Sequence, residues 1–248
     1  MFGREGPYSM ASELTNTDAG KYKLTYVNDG KIEAGVDEAG RGCLMGRLYT
    51  GAVVLSNDPD DLFDHGAELY RIKDSKVLTK RQRDIVYDYV QELALDKAVA
   101  FSPASEVDEL NVLKADMVCM HRALDSLQIP VERVLVDGDT WIPYKDTEGI
   151  RVVDGDAQYL SIAAAGILAK VSRDRWVESV VAEHPEWDTQ YGFLSNMGYG
   201  TAAHMEGLSK YGVTEEHRRS FRPVYTAMGL SAKPKTTKKK SVLLPRSG

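Results

Sequence analysis

The sequence predicts a layered α/β fold whose sheet mixes antiparallel and parallel strands, flanked by helices. Apolar runs of strand length alternate with helical periodicities along the chain, which calls for helices packed on a sheet. An alternating stretch broken by Asn28-Asp29-Gly30 reads as a hairpin near the start and supplies the antiparallel part. With 43% hydrophobic and 27% charged residues, the 248-residue chain has the balance of one sizeable globular domain.

Residues 1–20 carry no periodicity and read as a flexible leader. Tyr22, Leu24 and Tyr26 alternate with polar residues, and after the turn Ile32, Ala34 and Val36 alternate again, in a strand ending at Asp37. Gly46 to Leu55 reads as a buried strand. Thr79 and Gln82 fit a capping box, and Ile85, Val86, Tyr89, Val90 and Leu93 follow at helical spacing, predicting a helix from about Lys80 to Leu95. Ala98 to Phe101 is a short strand. Leu113, Met117, Met120, Leu124 and Leu127 form one apolar helix stripe that stops near Pro130, the two methionines being core.

Two further short strands are expected, Val134 to Val136 running into Asp137, and Ile150 to Val153 just before Asp154. A long helix from about Tyr159 to Glu183 carries Ala163, Ala164, Ala165 and Ala169, small residues that let it lie close on a sheet. After Pro185 come a glycine-rich loop through Gly198-Tyr199-Gly200 and shorter helical pieces. Residues 21–230 are therefore read as one domain with a helical C-terminal region, and 231–248 as a basic disordered tail with six basic residues and no acid.

The net charge of −6 neither demands nor excludes a polyanionic partner, because phosphate binding depends on where cations lie. Lys73, Lys76, Lys80, Arg81 and Arg83 crowd one segment, and Arg218, Arg219 and Arg222 another. No apolar run approaches the length of a membrane span. Residues 1–20 lack the apolar core of a secretory signal, and Cys43 and Cys119 have no metal-ligand spacing. An intracellular, cytoplasmic setting is expected.

Four acids stand where the chain leaves strands: Asp37 and Glu38, Asp137, and Asp156. Ligands gather at such strand ends in α/β sheets. Neighbouring strand residues face opposite sides, so Asp37 and Glu38 share a site only if the backbone bends there, which Gly40 and Gly42 permit. Crowded carboxylates repel, and a hard divalent cation such as Mg²⁺ or Mn²⁺ removes the repulsion. Any one of these acids, taken alone, is more often a turn former or helix cap.

Longer motifs change that balance. Gly35-Val36-Asp37-Glu38-Ala39-Gly40-Arg41-Gly42 resembles the opening signature of the type 2 ribonucleases H, families HII and HIII. Five further segments resemble the family in the same order. They are Asp74 to Thr79, Val134 to Gly138, Gly155-Asp156 with Ala163 to Arg175, Met197 to His204, and His217 to Pro223. The similarity runs from about Ile32 to Met228. An aspartate at position 156 and a short leader favour HII over HIII.

The resemblance implies a ribonuclease H-like fold and a catalytic, metal-binding set of Asp37, Glu38, Asp137 and Asp156, holding Mg²⁺ or Mn²⁺. It implies hydrolysis of the RNA strand of RNA–DNA hybrids and cutting 5′ of ribonucleotides embedded in duplex DNA. The mechanism would be a two-metal one that leaves 3′-hydroxyl and 5′-phosphate ends. Gly40, Arg41, Gly42 and Tyr199 would recognise the ribonucleotide through its 2′-hydroxyl. Lys76 and Lys170 are candidate phosphate contacts, with Ser75 as a hydroxyl donor. Asp174, one turn after Lys170, is open to two readings: an approach to a second metal, or a pair with Lys170 or Arg175. Asp139 and Asp154 are read as turn residues, and His204 and His217 receive no catalytic role. Arg47 stands where the family commonly has proline. A monomer is expected. The rival readings are a resolvase acting on branched DNA and a non-catalytic hybrid-binding protein.

Overall fold

The computed structural model describes residues 22–58, 61–62, 72 and 78–230. The expected leader, the basic tail and the segment holding Lys73, Ser75 and Lys76 lie outside the described residues. Five strands form one sheet: β1 (Glu33–Ala39), β2 (Leu48–Val54), β3 (Asp96–Ser102), β4 (Arg133–Asp137) and β5 (Glu148–Val152), in the order β3-β2-β1-β4-β5. β1 pairs antiparallel with β2 and parallel with β4, so both expected strand senses meet at the central strand.

Two helical layers cover the sheet. On one face lie α1 (Lys80–Leu93) and the 24-residue α4 (Leu160–Glu183); on the other lies α3 (Val112–Asp125), preceded by α2 (Ala104–Leu110). Strand alternation divides the side chains between these layers. Ala34, Val36, Val134 and Val136 pack with the Met117 and Met120 stripe of α3, while Leu135 packs with Ile162 of α4. The capping box on α1 forms as expected, with Gln82 N–H on the Thr79 hydroxyl and Thr79 N–H on the Gln82 side chain.

The residues from Leu160 to Ala169 are all buried, so the first half of α4 is sunk into the fold on every side. The helix lies unusually close to β1 and β2. A Cβ at Gly35 would stand 2.3 Å from the Ser161 carbonyl carbon, and one at Gly51 would stand 2.2 Å from the Ala165 carbonyl oxygen. Only glycine fits between backbone and backbone at that separation.

The expected first hairpin does not form. β2 occupies the antiparallel side of β1 and β4 the parallel side, which leaves residues 22–27 no place in the sheet. That segment makes a single bridge, Lys23 to Tyr159, and the Tyr26 N–H donates to the Glu33 carboxylate. Tyr22 and Leu24 alternate because they pack against the α1/α4 core rather than within a strand. α2 has seven residues and two apolar positions of note, too few to show a period.

The C-terminal region consists of α5 (Pro185–Tyr191), α6 (Phe193–Asn196), α7 (Ala202–Tyr211) and α8 (Arg222–Ala227). Its loops close on the segment after β1. Leu44 N–H donates to the Gly198 carbonyl, Gly46 N–H to Glu216, and Arg218 N–H to Leu44. Two fully buried arginines complete the junction through backbone carbonyls. Arg173 donates to Met45, Arg47 and Met197, and Arg218 to Arg41 and Gly46. Carbonyl partners offset the desolvation of a buried guanidinium, fully on three nitrogens of Arg173 and on Nε and Nη1 of Arg218, whose Nη2 has no partner among the described residues.

Beneath the same loop His204 and His217 face each other, Nε2 to Nε2, at 3.0 Å. The Thr214 N–H can only donate, so His217 Nδ1 accepts it and carries its proton on Nε2. His204 then accepts on Nε2 and donates from Nδ1 to the Tyr199 carbonyl. Both rings are neutral in this arrangement, and burial pushes His204 down and His217 down to about 3. Among the described residues no helix is long and apolar enough to cross a membrane.

Two outcomes follow for stability. Gly51→Ala drives a methyl into the α4 backbone and lowers stability by about 3 kcal/mol, read as a shift in denaturation midpoint. The two histidines have folded values below the ordinary value near 6.5, so their contribution is complete above pH 6.5. It is lost as pH falls from 6.5 toward 3, where the unfolded chain takes up protons the fold refuses. The melting temperature of the wild type therefore drops more steeply across that window than that of His217→Gln. Comparing the two slopes cancels the opposite trend of the buried acids.

Candidate active site

β1 and β4 run side by side and end at the same edge of the sheet, but not together. Their pairing stops at Val36 and Val136, β4 turns away at Gly138, and β1 continues to Ala39 with β2 as its remaining neighbour. Asp37 lies on the α4 face, its carboxylate against Gly166, and Asp137 follows the same alternation as Leu135. Glu38 lies on the α3 face. The expected backbone bend between Asp37 and Glu38 is absent; the strand is regular through Ala39 and turns only at Gly40, where φ is 90°. The two carboxylates meet instead around the open strand edge. Glu38 N–H donates to Asp37 Oδ1 at 2.7 Å, which pulls the Asp37 carboxylate off its face toward that edge.

One carboxylate oxygen from each of Asp37, Glu38 and Asp137 lies within 4.8 Å of the others. Asp137 Oδ1 also accepts the backbone N–H groups of Gly155, at 2.8 Å, and Asp156, at 3.3 Å. Those bonds dock the short 3₁₀ turn Gly155–Ala157 on the end of β4 and bring the buried Asp156 beside it. The turn is entered through Asp154, an exposed residue in left-handed conformation, as a turn former should be.

The cluster is electrostatically uncomfortable. Burial, then the charges of Glu38 and Asp137, hold the Asp37 carboxyl well above the usual carboxylate range. Burial and the Asp156 charge raise Asp137 in the same way. Two carboxylates about 4 Å apart repel by roughly 4 kcal/mol at an effective dielectric near 20. Glu38 Oε2 is buried and accepts no hydrogen bond among the described residues. An oxygen-only donor set with an orphaned carboxylate oxygen and mutual repulsion suits a hard divalent cation.

Arg41 leaves the Gly40 turn and reaches back to this cluster, its Nη2 2.6 Å from Glu38 Oε1. Its Nη1 lies 3.5 Å from Asp116 Oδ2. Asp116 is a fully buried acid on α3 whose oxygens accept no hydrogen bond among the described residues. Burial, then the Glu38 charge, pushes it up to about 8. It lies outside every motif in the sequence. Its signal was an aspartate three residues after Leu113 and four before Met120, inside an otherwise apolar stripe.

The remaining candidates fall in two places. Gly40, Arg41, Gly42 and Tyr199 come together, because Leu44 N–H bonds the Gly198 carbonyl and ties the two loops at 2.9 Å. A Cβ at Gly40 would meet Arg173 at 2.1 Å, whereas one at Gly42 would meet nothing within 4 Å. The Tyr199 ring is 43% exposed, with the Arg173 guanidinium 5.9 Å from its centre, so its outer face is free for a ligand. Lys170 and Asp174 lie further along α4 and bond each other at 2.7 Å. Asp174 also stands 3.7 Å from Arg83, while Arg175 pairs with Asp84. Asp174 is two turns beyond Gly166, about 12 Å along the helix from the Asp37 carboxylate. Arg47 packs its guanidinium on Phe101 and Trp176, 4.1 and 5.1 Å from the ring centres. Cys43 is buried and donates weakly to the Met197 carbonyl, so it is not a nucleophile paired with a base.

Known proteins share both fold and sequence. Residues 34–227 match the family described as Ribonuclease HII. A ribonuclease HII of Parabacteroides distasonis is 40% identical over 198 residues, covering 80% of this chain and 94% of that protein. One from a Polaromonas species is 44% identical over 191 residues, covering 77% and 89%. The crystal structure of ribonuclease H2 from Pyrococcus horikoshii superposes with a TM-score of 0.65 at 27% identity, covering 79% of this chain and 97% of that one. The Archaeoglobus fulgidus RNase HII, solved with PCNA, shares the fold with a TM-score of 0.62 at 24% identity, covering 77% and 95%. Matched over most of its length by sequence and by fold, the chain belongs to the ribonuclease HII family and is a nuclease.

Proposed function

We propose that this nuclease hydrolyses the RNA strand of RNA–DNA hybrids and cuts 5′ of ribonucleotides embedded in duplex DNA. The observation that carries the reading is the meeting of Asp37, Glu38 and Asp137 at one sheet edge, with Arg41 and the open Gly42 beside them. Asp37, Glu38, Asp137 and Asp156 would hold Mg²⁺ or Mn²⁺. When bound, such ions would supply Lewis acidity for hydrolysis of the phosphodiester. The chain's own acids would set where those cations sit.

Water is the nucleophile. It attacks the scissile phosphorus, the bond from phosphorus to the 3′-oxygen breaks, and that oxygen leaves with a proton as a 3′-hydroxyl. The phosphate stays on the ribonucleotide as its 5′ end. The backbone at Gly40 and Gly42 would approach the sugar, Arg41 would face the 2′-hydroxyl side, and the exposed Tyr199 ring would stack on the ribose or its base. Lys170 would contact a phosphate further along the strand, and Lys76 belongs to the same proposal although it lies outside the described residues. Asp174 is proposed as the partner that holds Lys170. The protein would act as an intracellular, cytoplasmic monomer.

Incubation of the full chain with a DNA duplex carrying one ribonucleotide, in Mg²⁺ or Mn²⁺, tests the reading. A single cut 5′ of the ribonucleotide, abolished by chelation, is the expected product on a sequencing gel. Cleavage of all-DNA junctions instead would make the enzyme a resolvase, and binding without any cut would make it a hybrid-binding protein. Asp37→Asn lowers the rate by more than about 100-fold, beyond the loss typical of residues that only support a metal ligand. Gly42→Ala separates recognition from folding. With nothing near its methyl group, it keeps stability within about 0.5 kcal/mol of wild type while raising KM for the one-ribonucleotide duplex.

A further inference from the structure

Arg41 sits between two acids that differ in what else can claim them. Glu38 belongs to the group of three carboxylates that converge within 4.8 Å, and its second oxygen is unpartnered there. Asp116 lies behind, on α3, fully buried, with Arg41 as its only charged neighbour of opposite sign within an ion-pair distance among the described residues. The guanidinium spans them with separate nitrogens, Nη2 on Glu38 at 2.6 Å and Nη1 on Asp116 at 3.5 Å.

A divalent cation entering the cluster competes with Arg41 for Glu38 and repels the guanidinium at the same time. Arg41 is 40% exposed at its side chain, so without another anchor it would swing into solvent. Asp116 cannot itself follow the cation easily, because it is fixed on a helix whose neighbours Ala115, Met117 and Met120 are core. We propose that Asp116 is a positioning residue that keeps the Arg41 guanidinium at the site once a divalent cation has taken Glu38. The fork turns about its Nη1 contact instead of leaving, and it stays where a ribonucleotide must pass. This rests on the ribonucleotide-cutting reading above, and it adds the reason a buried acid lies outside the converging set.

The test measures affinity for the duplex with one ribonucleotide by fluorescence anisotropy, with the full chain in Ca²⁺ and again in EDTA. Ca²⁺ seeks the same oxygen ligands and lets binding be read without relying on turnover. Asp116→Asn is expected to weaken binding about five-fold in Ca²⁺ and to change it little in EDTA, where Glu38 still holds Arg41. In an Arg41→Ala background the same substitution should do nothing further. Asp116→Ser, which removes the carboxyl group with less bulk, gives the same pattern and serves if the asparagine variant melts early. An equal loss in EDTA, a loss that persists without Arg41, or no loss in either variant would overturn the proposal. A wild type that cuts as proposed while Asp116 proves silent sinks this inference alone. A wild type that neither prefers nor cuts ribonucleotide-containing duplexes sinks the functional reading beneath it.

Discussion

The close seating of α4 on β1 and β2 is the constraint on which the rest of the molecule depends. At Gly35 and Gly51 the helix backbone approaches until no side chain fits between, and at Gly166 the gap is filled by the Asp37 carboxylate itself. A wider spacing would leave Asp37 in water with an ordinary affinity for protons. At the observed spacing it is buried, raised, and aimed along the strand edge by the Glu38 amide. The same helix carries Arg173, whose three carbonyl contacts fix the loops on either side of Tyr199 and Arg41. Helix placement thus sets both the acids and the loops that face them.

A second constraint is the unequal length of two parallel neighbours. Because β4 ends at Asp137 while β1 runs on, adjacent residues of β1 reach one notch from opposite faces without a bend. This solves a problem that strand alternation poses for any adjacent pair of acids. A bulge would do it at the expense of pairing with β2; a short neighbour leaves that pairing intact through Ala39 and Tyr49.

What could be read from residues alone divides along physical lines. The capping box at Thr79 is a local signal and forms as expected; of the α3 stripe Met117, Met120 and Leu124 are buried, whereas Leu113 is exposed and Leu127 lies beyond the helix end. The Tyr22 to Val27 alternation is local too, but a strand needs a free neighbour, and β2 and β4 had taken both sides of β1. The four acids are singled out by an ordered set of motifs, not by spacing, which cannot say that strand ends 100 residues apart coincide. Asp116 was hidden for a different cause: one charge in an apolar helix stripe carries meaning only when the facing surface is known. Carbonyl-bonded arginines such as Arg173 and Arg218 were equally invisible, because their partners are backbone atoms and leave no trace in residue identity.

The acids that gather at the end of β1 crowd negative charge into a partly buried site. Among the described residues Arg41 pairs with Glu38 and Asp116, while burial, with neighbouring carboxylates adding to it, pushes Asp37, Asp116 and Asp137 toward their protonated forms. A fold selected for stability alone would replace such a group with apolar residues, since buried charge clusters rarely repay their desolvation. Retaining it makes sense if positive charge arrives from outside and converts repulsion into binding energy. The same accounting explains why Arg41 contacts Glu38 through one oxygen only, leaving Oε2 open.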